Sequence, residues 1–320
     1  MKVLIIYYSQ TGNTQKTARS IAEGMRGDGH QVTLRFLQKA SYEEMKEYDL
    51  IGFGSPIWYE MPPNMRKFIE EMPDFTDVPC FCFNTHGTLP ALYFPLVLPR
   101  LRRKGMLVTD WADWYGDASI QIFPSPYYTS GHPDEQDLSE AAAFGKSVCD
   151  KAARVLEGDL SGLPPLPAPD MTPWHANAAI DHLGGFHNVH GRLVRDPEKC
   201  LYPACHICMD HCTMQYIDLA ADPQKYGSCG DACDDCHGCT YCEMLCPSGA
   251  IHPLIPYEKA APAGEDQGSG LFESVLDLAE KEGKFRRLIP AENVGTKTPF
   301  YSVHTKHPRL KALRFDKDNP

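Results

Sequence analysis

The chain has 320 residues, a formal net charge of −11, and ordinary globular fractions of hydrophobic (42%) and charged (23%) residues. Its length exceeds one ordinary core and predicts two domains. The acidic balance argues against nucleic acid as a partner, because phosphate binding needs a basic face. No apolar run reaches the roughly eighteen residues of a membrane span. MKVLIIYYSQ holds six apolar residues before polarity returns, too few for a signal peptide.

Ten of the thirteen cysteines lie between Cys200 and Cys246, two to four residues apart within each group. In a long chain without an export signal, that clustering predicts metal ligation in a reducing cytoplasm rather than disulfides. Cys80, Cys82 and Cys149 sit in apolar patterns and read as inert core residues.

In chain order, Val3–Tyr8 is a continuous apolar run, as a strand buried on both faces should be. Thr14–Met25 follows with helical spacing. Val32–Leu37, Leu50–Gly54, Val78–Phe83 and Met106–Trp111 are further predicted strands. Predicted helices span Asn64–Met72, Ala91–Lys104 and Glu135–Leu156. This alternation predicts a doubly wound α/β sheet over residues 1–160. SGLPPLPAPDMTP is too proline-rich for helix or central strand and marks a linker over 161–194. A cysteine-rich module spans 195–256. An extension over 257–320 contains the helical pattern Leu271–Lys284, and ten lysines and arginines stand against three acids from Lys281 to Lys317. That basic segment reads equally as a docking or covering surface and as a solvated face.

Between the first strand and the first helix lies SQTGNT, Ser9 to Thr14. Small hydroxyl and glycine residues there offer backbone N–H groups to an anion at a helix N-terminus. The Gly-Lys-Ser/Thr of a nucleotide P-loop is absent. The motif resembles the FMN phosphate signature of flavodoxins. The resemblance covers roughly residues 1–157 and implies a sheet in the order 2-1-3-4-5 with FMN at its carboxyl edge. It further implies that Ser9, Thr11, Gly12, Asn13 and Thr14 hold the phosphate. Ser55, Pro56, Trp58 and Tyr59 fall in the loop where flavodoxins place a flavin-flanking aromatic. Asn84, Thr85, His86 and Gly87 would pass along the ring edge. His86 reads equally as a flavin or substrate contact and as an ordinary loop histidine. The longer segment with Trp111, Trp114, Tyr127 and Tyr128 departs from short flavodoxins; those rings either shield a flavin or fill the core.

Cys236 to Pro247, CHGCTYCEMLCP, matches C-x2-C-x2-C-x3-C-P, the bacterial ferredoxin pattern. Zinc competes as the metal, but favours two separated C-x2-C pairs without a trailing Cys-Pro. Cys200 to Cys212, CLYPACHICMDHC, supplies a second group whose first gap is four residues and whose last cysteine precedes threonine. Residues Ile217–Leu219 and Ala250–Pro253 resemble the short strands that follow each motif in ferredoxins. The resemblance implies two [4Fe–4S] clusters, one held by Cys200, Cys205, Cys208 and Cys246. The other would be held by Cys236, Cys239, Cys242 and Cys212. Cys229 and Cys233 stand outside this set, as a turn, a spare ligand or a redox dithiol. Nine acids against two lysines between Asp196 and Glu243 suit low potentials. His182, His187 and His190 read as a polar connector.

Together these features predict a flavodoxin–ferredoxin fusion, an electron-transfer protein serving a separate redox partner. A flavin-dependent reductase of a small molecule such as a quinone, and a redox sensor, are the alternatives.

Overall fold

A computed structural model describes residues 1–57, 61–90, 92–118, 126–168, 193–212, 215–221, 241–253 and 269–295. These fall into two compact units, one built from residues 1–117 and 129–168, the other from 118, 126–128 and the described residues between 193 and 295.

The first unit is a five-stranded parallel sheet in the order β2-β1-β3-β4-β5, as expected. The strands are β1 (Lys2–Tyr7), β2 (Gln31–Phe36), β3 (Leu50–Pro56), β4 (Val78–His86) and β5 (Met106–Tyr115). Between them run α1 (Asn13–Gly27), the short α2 (Tyr42–Met45), α3 (Pro63–Glu71) and α4 (Tyr93–Arg103), and α5 (Glu135–Leu156) follows. Central β1 is buried from Val3 to Tyr7, which explains its unbroken apolar run. α1 packs on α5, and α3 on α4, as helices on the two faces of such a sheet do. Close approach of α1 and α5 depends on two glycines. A Cβ on Gly24 would lie 2.0 Å from the Ala142 carbonyl oxygen, and one on Gly145 would lie 2.3 Å from that of Ile21. α5 begins where predicted because Asp134 caps it, accepting from the backbone N–H groups of Gln136 and Asp137.

β3, β4 and β5 each run further at their carboxyl ends than predicted. The ladder continues through Ser55↔Asn84↔Asp113 and Thr85↔Trp114 to His86↔Tyr115. Polar residues there look like loop in sequence, yet the parallel ladder takes them in. Trp114 packs edge-on against Phe144 of α5 at 5.7 Å, and Trp111 lies 6.4 Å from Phe94 of α4. Trp114 is therefore a core residue, and half-buried Trp111 packs against that core.

In the second unit, β6 (Leu193–Arg195) pairs antiparallel with β7 (Ile251–Pro253), and α6 (Ile207–Asp210) packs on α7 (Tyr241–Leu245). β7 is the strand expected after Cys246; its partner lies at the end of what the sequence presents as linker. The strand expected at Ile217–Leu219 is not formed. Asp218 Oδ1 accepts from the N–H groups of Ala220 and Ala221, both at 3.0 Å, and turns the chain there. α8 (Ser269–Lys281) precedes Arg287, which lies 5.4 Å over the Tyr128 ring and pairs with Asp277 at 2.7 Å. Among the described residues no helix is long and apolar enough to cross a membrane.

Candidate functional site

The carboxyl edge of the parallel sheet gathers most of the residues expected to hold FMN. β1 ends at Tyr7, and the chain turns through Ser9 to Gly12 before α1. Gly12 has φ +91°, a left-handed conformation that glycine adopts without a Cβ clash, and its N–H donates to Ser9 Oγ at 3.1 Å. It caps α1 without any side-chain bond to the first turn, and that turn carries no acid. The first intrahelical bond runs from Lys16 N–H to the Gly12 carbonyl at 2.9 Å. Helix geometry leaves the N–H groups before it without intrahelical partners, directed toward the N-terminal end.

Ser9, Asn13 and Thr14 are buried, while Thr11 is half-buried. The Thr14 hydroxyl is 2.7 Å from that of Thr85, tying the first turn of α1 to β4. The Asn13 amide donates to the Asp117 carbonyl at 2.9 Å, so this side chain braces the loop against the segment after β5. From β3, the Ser55 hydroxyl donates to that of Tyr93 at 2.8 Å, and the Ser55 carbonyl accepts from Asn84 Nδ2 at 2.9 Å. Pro56 ends β3, and half-buried Gly87 follows β4.

Asn84 and His86 alternate along β4 and so share one face of the sheet with their register partners Asp113 and Tyr115. His86 Nε2 lies 2.9 Å from Asp113 Oδ2, and the rings of His86 and Tyr115 meet edge-on at 4.6 Å. Burial, then the nearby Asp113 charge, pushes the Tyr115 phenol up to about 12. Asn84 Oδ1 and His86 Nδ1 are buried and have no hydrogen-bond partner among the described residues. Uncapped helix end, left-handed glycine and orphaned polar atoms all lie at the carboxyl edge. They fit a ligand with a terminal phosphate and a polar-edged ring. Sequence reading passed over Asp113 and Tyr115, although the alternation in DWADWY places them on one face. Trp58 and Tyr59 lie outside the described residues.

The second unit brings together four cysteines. Cys200, Cys205, Cys208 and Cys246 line one small cavity, partly open to solvent, with Arg195 and Pro247 at its wall. Local bonds set the loop: Cys200 N–H donates to the Asp196 carbonyl and Cys205 N–H to that of Leu201, each at 3.1 Å. Cys208 sits in α6, and Cys246 directly follows α7. The Cys208 thiol is pushed up to about 11, first by burial and then by the neighbouring Cys200, Cys246 and Cys205. Crowding four groups that ionise to anions raises their cost unless a cation neutralises them, which is the chemistry of a metal site. Tyr216 N–H lies 3.3 Å from Cys212 Sγ, and Ser248 Oγ is 3.7 Å from Cys246 Sγ. Cys242 is in α7. Cys236 and Cys239 lie outside the described residues, as do Cys229, Cys233, the three connector histidines and the basic segment from Lys297 onward.

Comparison with known proteins agrees with the first unit. A flavodoxin domain model matches residues 4–88. The chain is 30% identical to an uncharacterized protein of Methanocaldococcus jannaschii over 153 residues, which cover 98% of that protein and 46% of this chain. It is 28% identical to an NAD(P)H dehydrogenase (quinone) of Archaeoglobus fulgidus, covering 98% of that protein and 48% of this chain. It is 26% identical to a flavodoxin of Clostridium saccharobutylicum, covering 99% of that protein and 48% of this chain. These relatives correspond to about half of the chain, the half that carries the parallel sheet. The N-terminal half of the chain is thus a flavodoxin-like domain.

Proposed function

We propose that the chain is an electron-transfer protein in which FMN and two [4Fe–4S] clusters on one polypeptide serve a partner redox protein. On this reading residues 1–160 are the flavodoxin-like domain and 161–194 a linker. Residues 195–256 form a ferredoxin-like two-cluster domain, and 257–320 a basic extension. Reducing cytoplasm is the setting that suits its free thiols.

What carries the reading is the meeting of Cys246 with Cys200, Cys205 and Cys208 at one cavity. Cys246 closes the C-terminal run of cysteines, yet it joins three ligands of the N-terminal run. That exchange is how the two runs of a two-cluster ferredoxin share their clusters. Cys212 would return the exchange to Cys236, Cys239 and Cys242.

When bound, FMN accepts or gives electrons singly or in pairs, and each cluster handles one at a time. The chain's part is to hold and tune them. Ser9, Thr11, Gly12, Asn13 and Thr14 offer neutral donors and a helix N-terminus to the phosphate. Ser55, Pro56, Asn84, Thr85, His86 and Gly87 would border the ring; Trp58 and Tyr59, expected to flank it, lie outside the described residues. The Tyr216 N–H on Cys212 and the Ser248 hydroxyl near Cys246 soften charge on the ligand sulfurs and so favour reduction. Acidic residues around the module oppose it. Placing both cofactor types on one chain replaces a diffusional encounter with an intramolecular one.

Anaerobic purification followed by metal, sulfide and flavin analysis tests the reading. It expects about eight iron atoms per chain, the content of two such clusters, with stoichiometric FMN. Recovery of zinc without iron, or of FAD in place of FMN, would sink it.

A further inference from the structure

Moving electrons alone requires no proton donor, yet the carboxyl edge of the sheet holds a histidine–aspartate pair. The His86 side chain is 1% exposed, and Asp113 beside it is 37% exposed. A carboxylate can only accept, so at 2.9 Å it fixes the proton of that pair on Nε2. Nδ1 is left buried, with no partner among the described residues. An unsatisfied buried polar atom is costly, and a bound molecule that hydrogen-bonds to it recovers that cost. Thr85, the residue before His86, reaches the Thr14 hydroxyl at 2.7 Å, so the imidazole belongs to the same end of the sheet as the phosphate loop.

We propose that His86, held by Asp113, is a general acid for the two-electron reduction of a small quinone-like carbonyl compound at the flavin site. The proposal rests on the FMN reading and adds a catalytic activity to it. Reduced FMN, when bound, would supply the hydride equivalent. The Nδ1–H bond of the imidazolium breaks as an O–H bond forms on the acceptor's carbonyl oxygen, so quinone, hydride and proton sum to the hydroquinone. The neutral imidazole then recovers its proton from water. Asp113 is the positioning residue: its bond to Nε2 holds the ring so that Nδ1 stays available. The edge-on Tyr115 ring limits rotation of the imidazole.

Full-length holoprotein, reduced anaerobically and mixed in stopped flow with menadione or with ferricyanide, tests this, because only menadione must be protonated. The ratio of the menadione rate to the ferricyanide rate should fall on the order of 100-fold in His86→Gln, a typical general-acid contribution. Asp113→Asn should lower the ratio less and shift its pH profile. In oxidised wild-type holoprotein labelled with 15N-histidine, the Nδ1 resonance of His86 should move on menadione addition. An unmoved resonance, or an unaltered ratio in a flavin-replete His86→Gln, overturns the proposal. If His86→Gln fails to hold flavin, an unshifted pH profile in Asp113→Asn does so instead. Wild-type protein lacking FMN would overturn the underlying reading itself, a separable result.

Discussion

The side-chain amide of Asn13 donates to the backbone carbonyl of Asp117 at 2.9 Å, joining the first turn of α1 to the chain just after β5. The same short segment is pinned twice more: Thr129 Oγ1 donates to the Gly116 carbonyl at 2.9 Å, and Asp117 N–H to the His132 carbonyl at 2.8 Å. The shape of the loop between β1 and α1 is therefore shared between two stretches of sequence about a hundred residues apart.

Asn13→Ala should weaken FMN binding to the apoprotein by about tenfold, since one such bond contributes about 0.5–1.5 kcal/mol and 1.4 kcal/mol is tenfold. Gly116→Ala acts on the same contact from the other side, because its Cβ would lie 2.8 Å from Asn13 Nδ2. Quenching of FMN fluorescence on titration measures both. Iron content should stay at the wild-type level in each variant; joint loss of flavin and iron would show that the two halves do not fold independently.

Gly24→Ala and Gly27→Ala should move stability in opposite directions although both lie in α1. A Cβ at Gly24 would meet the Ala142 backbone at 2.0 Å, and backbone cannot swing aside. Overpacking of that kind costs about 1–3 kcal/mol. At Gly27 a Cβ meets nothing within 4 Å, so helix propensity governs and favours alanine by up to about 1 kcal/mol. Urea midpoints with an unchanged m-value would register both signs.

Cys149 is buried, and burial pushes its thiol up to about 12; Cys80 and Cys82 are pushed up as well, for the same reason. All three should resist alkylation in the native protein. Thiols of the unfolded chain ionise near pH ~8.5, while these remain neutral in the fold. Above that pH the unfolded state binds fewer protons, so stability present at neutral pH is lost as pH rises. Replacing Cys149 by alanine should therefore flatten the fall in urea midpoint between pH 8 and pH 10, by less than about 1.4 kcal/mol per pH unit. A fall as steep as the wild type's would mean the thiol is not desolvated.

Cys208→Ser and Cys246→Ser should each remove about four of about eight iron atoms, and the double variant should lose no more than either alone. That pattern is specific to two residues serving one cluster. If the losses add, Cys246 serves a different cluster from Cys208. Serine at both Cys229 and Cys233 should leave iron content unchanged, since they lie outside the proposed ligand set.

The alternation of strands and helices could be read from the sequence because each strand carries its own local signal, whereas the order of the sheet was implied only by the resemblance of Ser9–Thr14 to flavodoxins. Val3–Tyr7 is apolar throughout, and β1 is buried on both faces, so pattern and environment coincide. Pro63 and Asp134 mark helix starts by chemistry that needs no distant partner. Ser9–Thr14 is legible for the same reason, as a loop between one strand and the next helix. Strand ends were not legible, because Asn84 and His86 are polar and only the ladder to Asp113 and Tyr115 makes them sheet. Ile217–Leu219 has the apolar pattern of a strand, but Asp218 spends its carboxylate on the following N–H groups and turns the chain. Cysteine spacing named the candidate ligands, since three closely spaced thiols on one loop can converge on one metal centre. Which distant cysteine completes each set is a question of three-dimensional closure, and the cavity shared by Cys208 and Cys246 arises only there. The His86–Asp113 pair has the same origin. Twenty-seven residues separate its members, and a parallel register places them on one face, where burial leaves Nδ1 without a partner.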